Sequence, residues 1–320
     1  MKPNNGRRCP LGNNVAKVAR KNNFAKRQEY LFVASVLIVP IIFFLVFWVY
    51  VNIDSFALVF WRKETVDGAV RKVFTFRNFE LVYEKFLKNG ELLIATRNTL
   101  LFYAVALVIV LPISILMAYF VYKKILCFRF FRTITYLPNI ICSSALVVLY
   151  KYTFMAGGPI SAIAQKLGNE YSSPLGTDKA IIYLLIYNVI FGFGANMVVF
   201  GGAMNSVSED VLEAGKIDGC NWFQELVKLI IPMIWPTIST ILVLSFAGIL
   251  SSTGPILAMT GGDNNTATLS FLLYGYATGA VKNISQDLNL AATIGLVMTL
   301  VTFPIVLLIK NFLYKDEKEG

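Results

Sequence analysis

The sequence predicts an all-α integral membrane protein with six transmembrane helices. The 320 residues are 56% apolar, 14% aromatic and only 15% charged, with a mean hydropathy of +0.63, whereas soluble chains are about a quarter charged and under half apolar. Six stretches supply the roughly 20 apolar residues that a helix needs to cross a hydrocarbon layer about 30 Å thick. Charge is placed rather than spread. Of the 29 Lys/Arg behind the net charge of +10, eight (Lys2, Arg7, Arg8, Lys17, Arg20, Lys21, Lys26 and Arg27) precede the first apolar run. A basic tail against such a run marks a cytoplasmic membrane anchor, not a nucleic-acid arm.

Residues 1–30 form that tail, and 31–51 the first span, LFVASVLIVPIIFFLVFWVYV. The run is too long for a signal-peptide core and no small-x-small site follows, so it is expected to stay attached. Residues 52–97 make an extracytoplasmic loop whose eight bases mix with six acids. The remaining spans are expected at 98–122, 133–153, 180–204, 229–252 and 288–311, within a core of 98–312 that ends in a short tail, 313–320. Pro40, Pro112, Pro138 and Pro236 lie in or near these runs, which bundled membrane helices tolerate. Trp48, Tyr50, Trp61 and Tyr152 sit at span ends, where aromatic rings anchor in the interface. Six crossings place both termini on one side, and the basic tail and the four bases of 123–132 make that side cytoplasmic.

Several chemistries are excluded. There is no histidine, hence no histidine base, triad or metal ligand, and Cys9, Cys127, Cys142 and Cys220 form no C-x-x-C pair. No phosphate loop is present. From Asn98 to Tyr122, Ala180 to Ser208 and Leu229 to Gly262 there is no Asp, Glu, Lys or Arg. Ion-coupled carriers keep ionisable groups inside the membrane. Uphill transport by this chain would therefore draw its energy from another subunit, and neither a cofactor nor a metal is expected on it.

The connector 206–230 carries five acids against two bases. Ser208 suits a helix N-cap, with Glu209 and Asp210 in the first turn. Val211, Leu212 and Gly215 can share a face, Asp218-Gly219 supplies a turn, and Pro232 ends or kinks a second helix. By periodicity alone this is an amphipathic interfacial connector, although such helices usually carry excess Lys/Arg.

Glu213-Ala214-Gly215, three residues, Gly219, nine residues and Leu229-x-Ile231-Pro232 resemble the EAA loop of binding-protein-dependent ABC importer permeases, E-A-A-x3-G-x9-I-x-L-P. Asp218 precedes the glycine as it usually does in that family, while Gly215, Leu229 and Ile231 depart from the pattern. Phe128 to Thr133 with Leu137-Pro138, Arg97-Asn98-Thr99-Leu100 and Thr260-Gly261-Gly262 are similar to carbohydrate permeases. Asn98-Thr99 and the F-R-N-F stretch Phe76 to Phe79 resemble the maltose-permease MalF-like type, without its very large outer domain.

The resemblance implies a cytoplasmic EAA coupling helix between helices 4 and 5, in which Glu213, Ala214, Gly215, Asp218, Gly219 and Pro232 serve contact with a cytoplasmic ATPase. It implies a non-catalytic translocation subunit of the bacterial cell membrane. Its expected partners are a second permease subunit, two ATPase subunits that use ATP and Mg, and an extracytoplasmic sugar-binding protein faced by the loop Gly261 to Asn265. Asn188, Phe191, Gly192 and Ala195 share a face of the fourth span, and Ser245, Gly248, Ile249 and Ser252 a face of the fifth. By the same resemblance these positions correspond to a sugar site, with Asn196 and Asn205 further along the inner vestibule. Small residues at such spacing also pack helices together, and a lone Asn also bonds to a neighbouring helix, so both readings stand. The competing readings are a permease for another small polar solute, a membrane-embedded enzyme and a passive channel. The chargeless spans favour a neutral sugar over an anion.

Overall fold

The computed structural model describes residues 28–313 except 29, 31, 67, 68, 89, 126 and 249–253. Residues 1–27 and 314–320 of the expected tails (1–30 and 313–320), and with them Cys9, lie outside the described residues, as do Ile249 and Ser252. The chain divides into two compact units, Met1–Leu58 and Val59–Gly320. Helix α1, Phe32–Phe60, runs on past the expected end at 51. It is apolar on every side, with Phe44 stacked on Trp48 at 5.0 Å, and Asn52 satisfies its carboxamide on the Trp48 carbonyl at 2.6 Å.

The second unit opens with a hairpin that the helical expectation did not include. Strand β1 (Trp61–Val66) pairs antiparallel with β2 (Ala69–Phe74), Trp61 opposite Phe74 and Val66 opposite Ala69. The two residues between the strands in sequence are Asp67-Gly68, the dipeptide that favours a two-residue hairpin loop. Helices α2 (Arg77–Leu87), α3 (Glu91–Tyr122), α4 (Phe128–Ile140), α5 (Ser143–Phe154), α6 (Pro159–Lys166) and α7 (Ala180–Met204) follow. After them come α8 (Glu209–Ile217), α9 (Trp222–Met233), α10 (Trp235–Ala247), α11 (Gly254–Met259), α12 (Leu269–Thr278) and α13 (Leu288–Leu313). Among the described residues five helical segments are long and apolar enough to cross a bilayer, α1, α3, α7, α13 and Ser143–Lys166 (α5 with α6), or six if α9 and α10 count as one bent span.

Prolines explain where helices depart from straight rods. In α3 a π-turn over Ala106–Val110 comes just before Pro112, and Leu111 N–H reaches Ala106 O. The wider turn accommodates a ring that lacks a donor and crowds the carbonyl four residues back. The same device, Glu225–Ile230, precedes Pro232 in α9. Two residues on, the chain bends by 72° between α9 and α10, where Pro236 cannot bond back to Pro232. The expected third span, 133–153, is interrupted. Pro138 lies within α4, Ile141 turns extended (φ −75°, ψ 142°), and α5 restarts at Ser143.

Two hydrophobic cores hold the second unit together. One joins Ile115, Ala118 and Tyr119 of α3 with Met197, Phe200 and Met204 of α7, and includes Leu212, Leu226, Ile230 and Ile234. The other, at the opposite end, gathers Leu92, Tyr150, Leu184, Tyr187, Phe271, Tyr276 and Ile294.

Candidate functional site

The connector folds as two short helices rooted in the first core. Ser208 stands at the N-cap of α8 with extended backbone (φ −65°, ψ 140°), but its side chain caps nothing. The C-terminus is capped: Gly219 has φ +77°, its N–H bonds Lys216 O at 3.1 Å, and Cys220 N–H bonds Gly215 O at 3.0 Å. This is the Schellman arrangement, which wants a residue without Cβ in the left-handed position. Next, Asn221 Oδ1 accepts from Gln224 N–H at 2.8 Å while Gln224 Oε1 accepts from Asn221 N–H at 3.1 Å. That capping box starts α9.

Burial divides α8 into two faces. Leu212 and Gly215 are buried, whereas Glu213, Ala214, Asp218 and Gly219 are exposed, as is Pro232 on α9. A Cβ at Gly215 would lie 2.5 Å from Leu229 Cδ1. Two of the departures from the EAA pattern therefore touch, the leucine methyl filling the space an alanine would need. Beside them Glu225, only 9% exposed at its side chain, pairs with Lys123 at the end of α3. Its Oε1 has no hydrogen-bond partner beyond that ion pair. Local sequence gives no signal for this contact, because its members are far apart along the chain.

Of the eight residues placed on the shared faces of the fourth and fifth spans, Asn188, Ser245 and Gly248 converge on one cavity of about 130 Å³. Thr99, Tyr103, Tyr187 and Thr268 also line it, with no charged side chain among its described residues. Neither Asn188 nor Ser245 makes a side-chain hydrogen bond among the described residues. By contrast Ser114, Thr240 and Thr302 each bond the carbonyl four residues back. Phe191 instead packs with Tyr187 (4.8 Å) and Tyr150 (6.3 Å) between α7 and α5. Gly192 sits where a Cβ would meet Asn188 Oδ1 at 3.4 Å and Val110 Cγ1 at 3.6 Å, and Ala195 lies exposed on the same face. A larger groove of about 570 Å³ between α2, α3 and α13 is apolar. Its Thr96, Thr99 and Thr302 hydroxyls are already bonded to carbonyls of their own helices, so it has little to offer a polar solute.

At the opposite end, polar side chains fasten loops to helices. Asn98 Nδ2 donates to Asn265 O at 2.6 Å and Ala267 O at 2.8 Å, and Thr99 Oγ1 accepts from Leu269 N–H at 3.0 Å. The Asn-Thr pair thus anchors the turn in which Gly261, Gly262, Asn264 and Asn265 all have positive φ. Asn78 of the F-R-N-F stretch is fully buried, donating to Val59 O at 2.7 Å and accepting from Arg62 at 2.8 Å, and Arg62 pairs with Asp287 at 3.2 Å. Lys85 bonds Tyr276 Oη at 2.6 Å and Glu91 at 3.0 Å, and Tyr276 donates to Glu91 at 2.9 Å. Burial pushes the Lys85 ammonium down, but its bonds to Tyr276 and Glu91 outweigh that and hold it above the ordinary lysine value.

Residues 110–315 match the family described as binding-protein-dependent transport system inner membrane component. The chain belongs to this family. It is accordingly a non-catalytic, multi-pass permease component of a binding-protein-dependent ABC importer. This permease component is 26% identical over 209 residues to the multiple sugar-binding transport system permease protein MsmF of Streptococcus mutans, covering 62% of this chain and 71% of that one. It is 25% identical over 293 residues to the sn-glycerol-3-phosphate transport system permease protein UgpA of Escherichia coli, covering 90% and 94%. The fold is that of a chain in the crystal structure of a bacterial ABC transporter involved in the import of the acidic polysaccharide alginate. There the TM-score is 0.74 at 21% identity, over 92% of this permease component and 99% of that chain.

Proposed function

We propose that this chain is one of two permease subunits of a carbohydrate importer, of the MalF-like type, with both termini cytoplasmic. Two ATPase subunits drive it through α8, and an extracytoplasmic solute-binding protein feeds it. The observation that carries the coupling reading is the two-faced α8: Leu212 and Gly215 root it in the core while Glu213 and Ala214 stay bare. A small, acid-edged surface permits close approach of a partner cleft, and a helix so rooted moves with α3, α7 and α9 as one body. Glu213→Lys is expected to abolish uptake and ATPase association while the protein still inserts. Normal import by that variant would overturn the docking role.

A neutral, hydroxyl-rich solute suits the uncharged cavity formed by Asn188, Ser245 and Gly248, and the relative named for multiple sugars points to the same class. Those named for sn-glycerol-3-phosphate and alginate share the hydroxyls but carry negative charge. Ligand sites usually occupy about 300–1,000 Å³, so a cavity of about 130 Å³ is a part-site. The exposed Gly192 and Ala195 extend it toward a surface that a second permease subunit would complete.

A further inference from the structure

Between the end of α3, the start of α4 and the last turns of α7 lies a cavity of about 420 Å³ that shares only Asn205 with the expected solute pathway. Its charged lining has one sign. Lys124 and Arg132 face it together with Tyr122 and Asn205, and no Asp or Glu lines it among the described residues. Lys123 is paired with Glu225, but Lys124 and Arg132 have no carboxylate partner among the described residues. The backbone adds an independent observation. Lys124 has φ +52° and closes α3, its N–H bonding Val121 O at 3.1 Å while Ile125 N–H bonds Phe120 O at 3.3 Å. Glycine is the residue that fits this position without strain, yet here a long cationic side chain occupies it and lines the cavity. The cavity lies where the chargeless stretch of α3 ends, and exposed Phe130 and Phe131 lie just along α4.

We propose that this cavity binds the phosphate headgroup of an anionic phospholipid. Lys124 and Arg132 pair with the phosphodiester, Tyr122 and Asn205 bond its glycerol or headgroup hydroxyls, and the acyl chains run along the apolar face of α4. A basic pocket between membrane helices is suited to that chemistry, and in the proposed orientation, on which this rests, this end of α3 is turned toward the cytoplasmic leaflet, the one rich in anionic lipid. The site stands apart from both the Asn188 cavity and the exposed face of α8.

The test is native mass spectrometry of the full chain in detergent, titrated with phosphatidylglycerol or with phosphatidylcholine of matched acyl chains. It reads lipid binding alone, so its outcome is separate from that of the transport reading. Wild type is expected to retain phosphatidylglycerol selectively, and Lys124→Gly and Arg132→Ala each to weaken it on the order of fivefold. The exchange pair Lys124→Arg with Arg132→Lys should retain binding, as should the control pair Lys228→Ala with Lys310→Ala. Lys124→Gly also separates the site from a structural role. Relief of the backbone strain should raise its thermal midpoint without lipid, while its lipid selectivity falls. Equal losses in the control pair, unchanged binding in both single variants, or displacement of the lipid by millimolar inorganic phosphate that itself protects the chain would overturn the proposal.

Discussion

The contact between Gly215 and Leu229 yields a prediction whose size can be worked out. Alanine in a helix interior is favoured over glycine by about 1 kcal/mol, so Gly215→Ala would ordinarily stabilise α8. Here the new methyl would stand 2.5 Å from Leu229 Cδ1, against about 3.5–4.0 Å for relaxed carbon contact. Overpacking of that kind costs about 1–3 kcal/mol, leaving Gly215→Ala destabilising by about 0–2 kcal/mol. Leu229→Ile pulls the offending methyl back toward its own helix and, alone, leaves a small void worth less than about 1.5 kcal/mol. Together the substitutions recreate the Ala/Ile pair of the EAA pattern and should recover most of both losses, a coupling of about 1–2 kcal/mol, in the range measured for touching residues. The assay is the thermal midpoint of the four proteins in detergent at one heating rate, by fluorescence-detected gel filtration, with uptake in vesicles alongside. Additive effects within about 0.5 kcal/mol would refute the reasoning. So would a gain of the full helix propensity by Gly215→Ala alone, since it would mean that Leu229 simply rotates away.

Further outcomes follow from the other contacts. Lys123→Met strands the buried Glu225 and should cost about 2–3 kcal/mol, below the usual range for a fully buried pair because Lys123 keeps 24% exposure; Lys123→Met with Glu225→Leu should recover much of it in the same thermal assay. Lys85 and Tyr276 both titrate above their ordinary values of 10.5 and 10.0 in the fold, so their contribution is complete below those values and is lost as pH rises through the folded ones. The thermal midpoint should fall above about pH 10, and Lys85→Met with Tyr276→Phe should flatten that fall. Asn188→Ala and Ser245→Ala should each change the KM for vesicle uptake without lowering the thermal midpoint, and wild-type kinetics in both would remove the cavity from the pathway.

Most of the bundle was legible because a hydrocarbon-spanning helix writes itself into about 20 consecutive side chains. α7 occupies the expected 180–204, and the Asp218-Gly219 break appears as a capped turn. What escaped has two causes. Some signals were local but masked by stronger ones: Asp67-Gly68 between WRKETV and AVRKVF announces a hairpin, and Asn221 with Gln224 a capping box, yet both sit beside long apolar stretches. Others are not local. The bonds from Asn98 to the backbone near Asn265 and from Lys123 to Glu225 join distant parts of the chain, and a helical pattern says only that a face is buried, not against what. The break inside the expected third span escaped for a further reason. Composition cannot distinguish one helix from two half-helices, and only the backbone at Ile141 records the break.

These non-local contacts bear on how work entering at α8 would reach the solute. A push on Glu213 is useful only if α8 does not slide on its base. Gly215 against Leu229 and the Schellman turn at Gly219 fix α8 to α9, while Lys123 with Glu225 fixes α9 to the end of α3. α3 then runs from that ion pair to Thr99 and Tyr103 at the Asn188 cavity, and onward to Asn98, which holds the far loop. A single helix therefore connects the end that bears α8 with both the Asn188 cavity and the loop near Asn265. The 72° bend at Ile234 sets α10, with Ser245 and the adjoining Gly248, on a different axis from α9. Under the proposed transport reading, opposed motion of α3 and α10 would open and close the cavity between them. Closing Lys123 and Glu225 with a permanent link should leave coupling intact, whereas straightening the bend with Pro236→Ala should uncouple ATP hydrolysis from uptake.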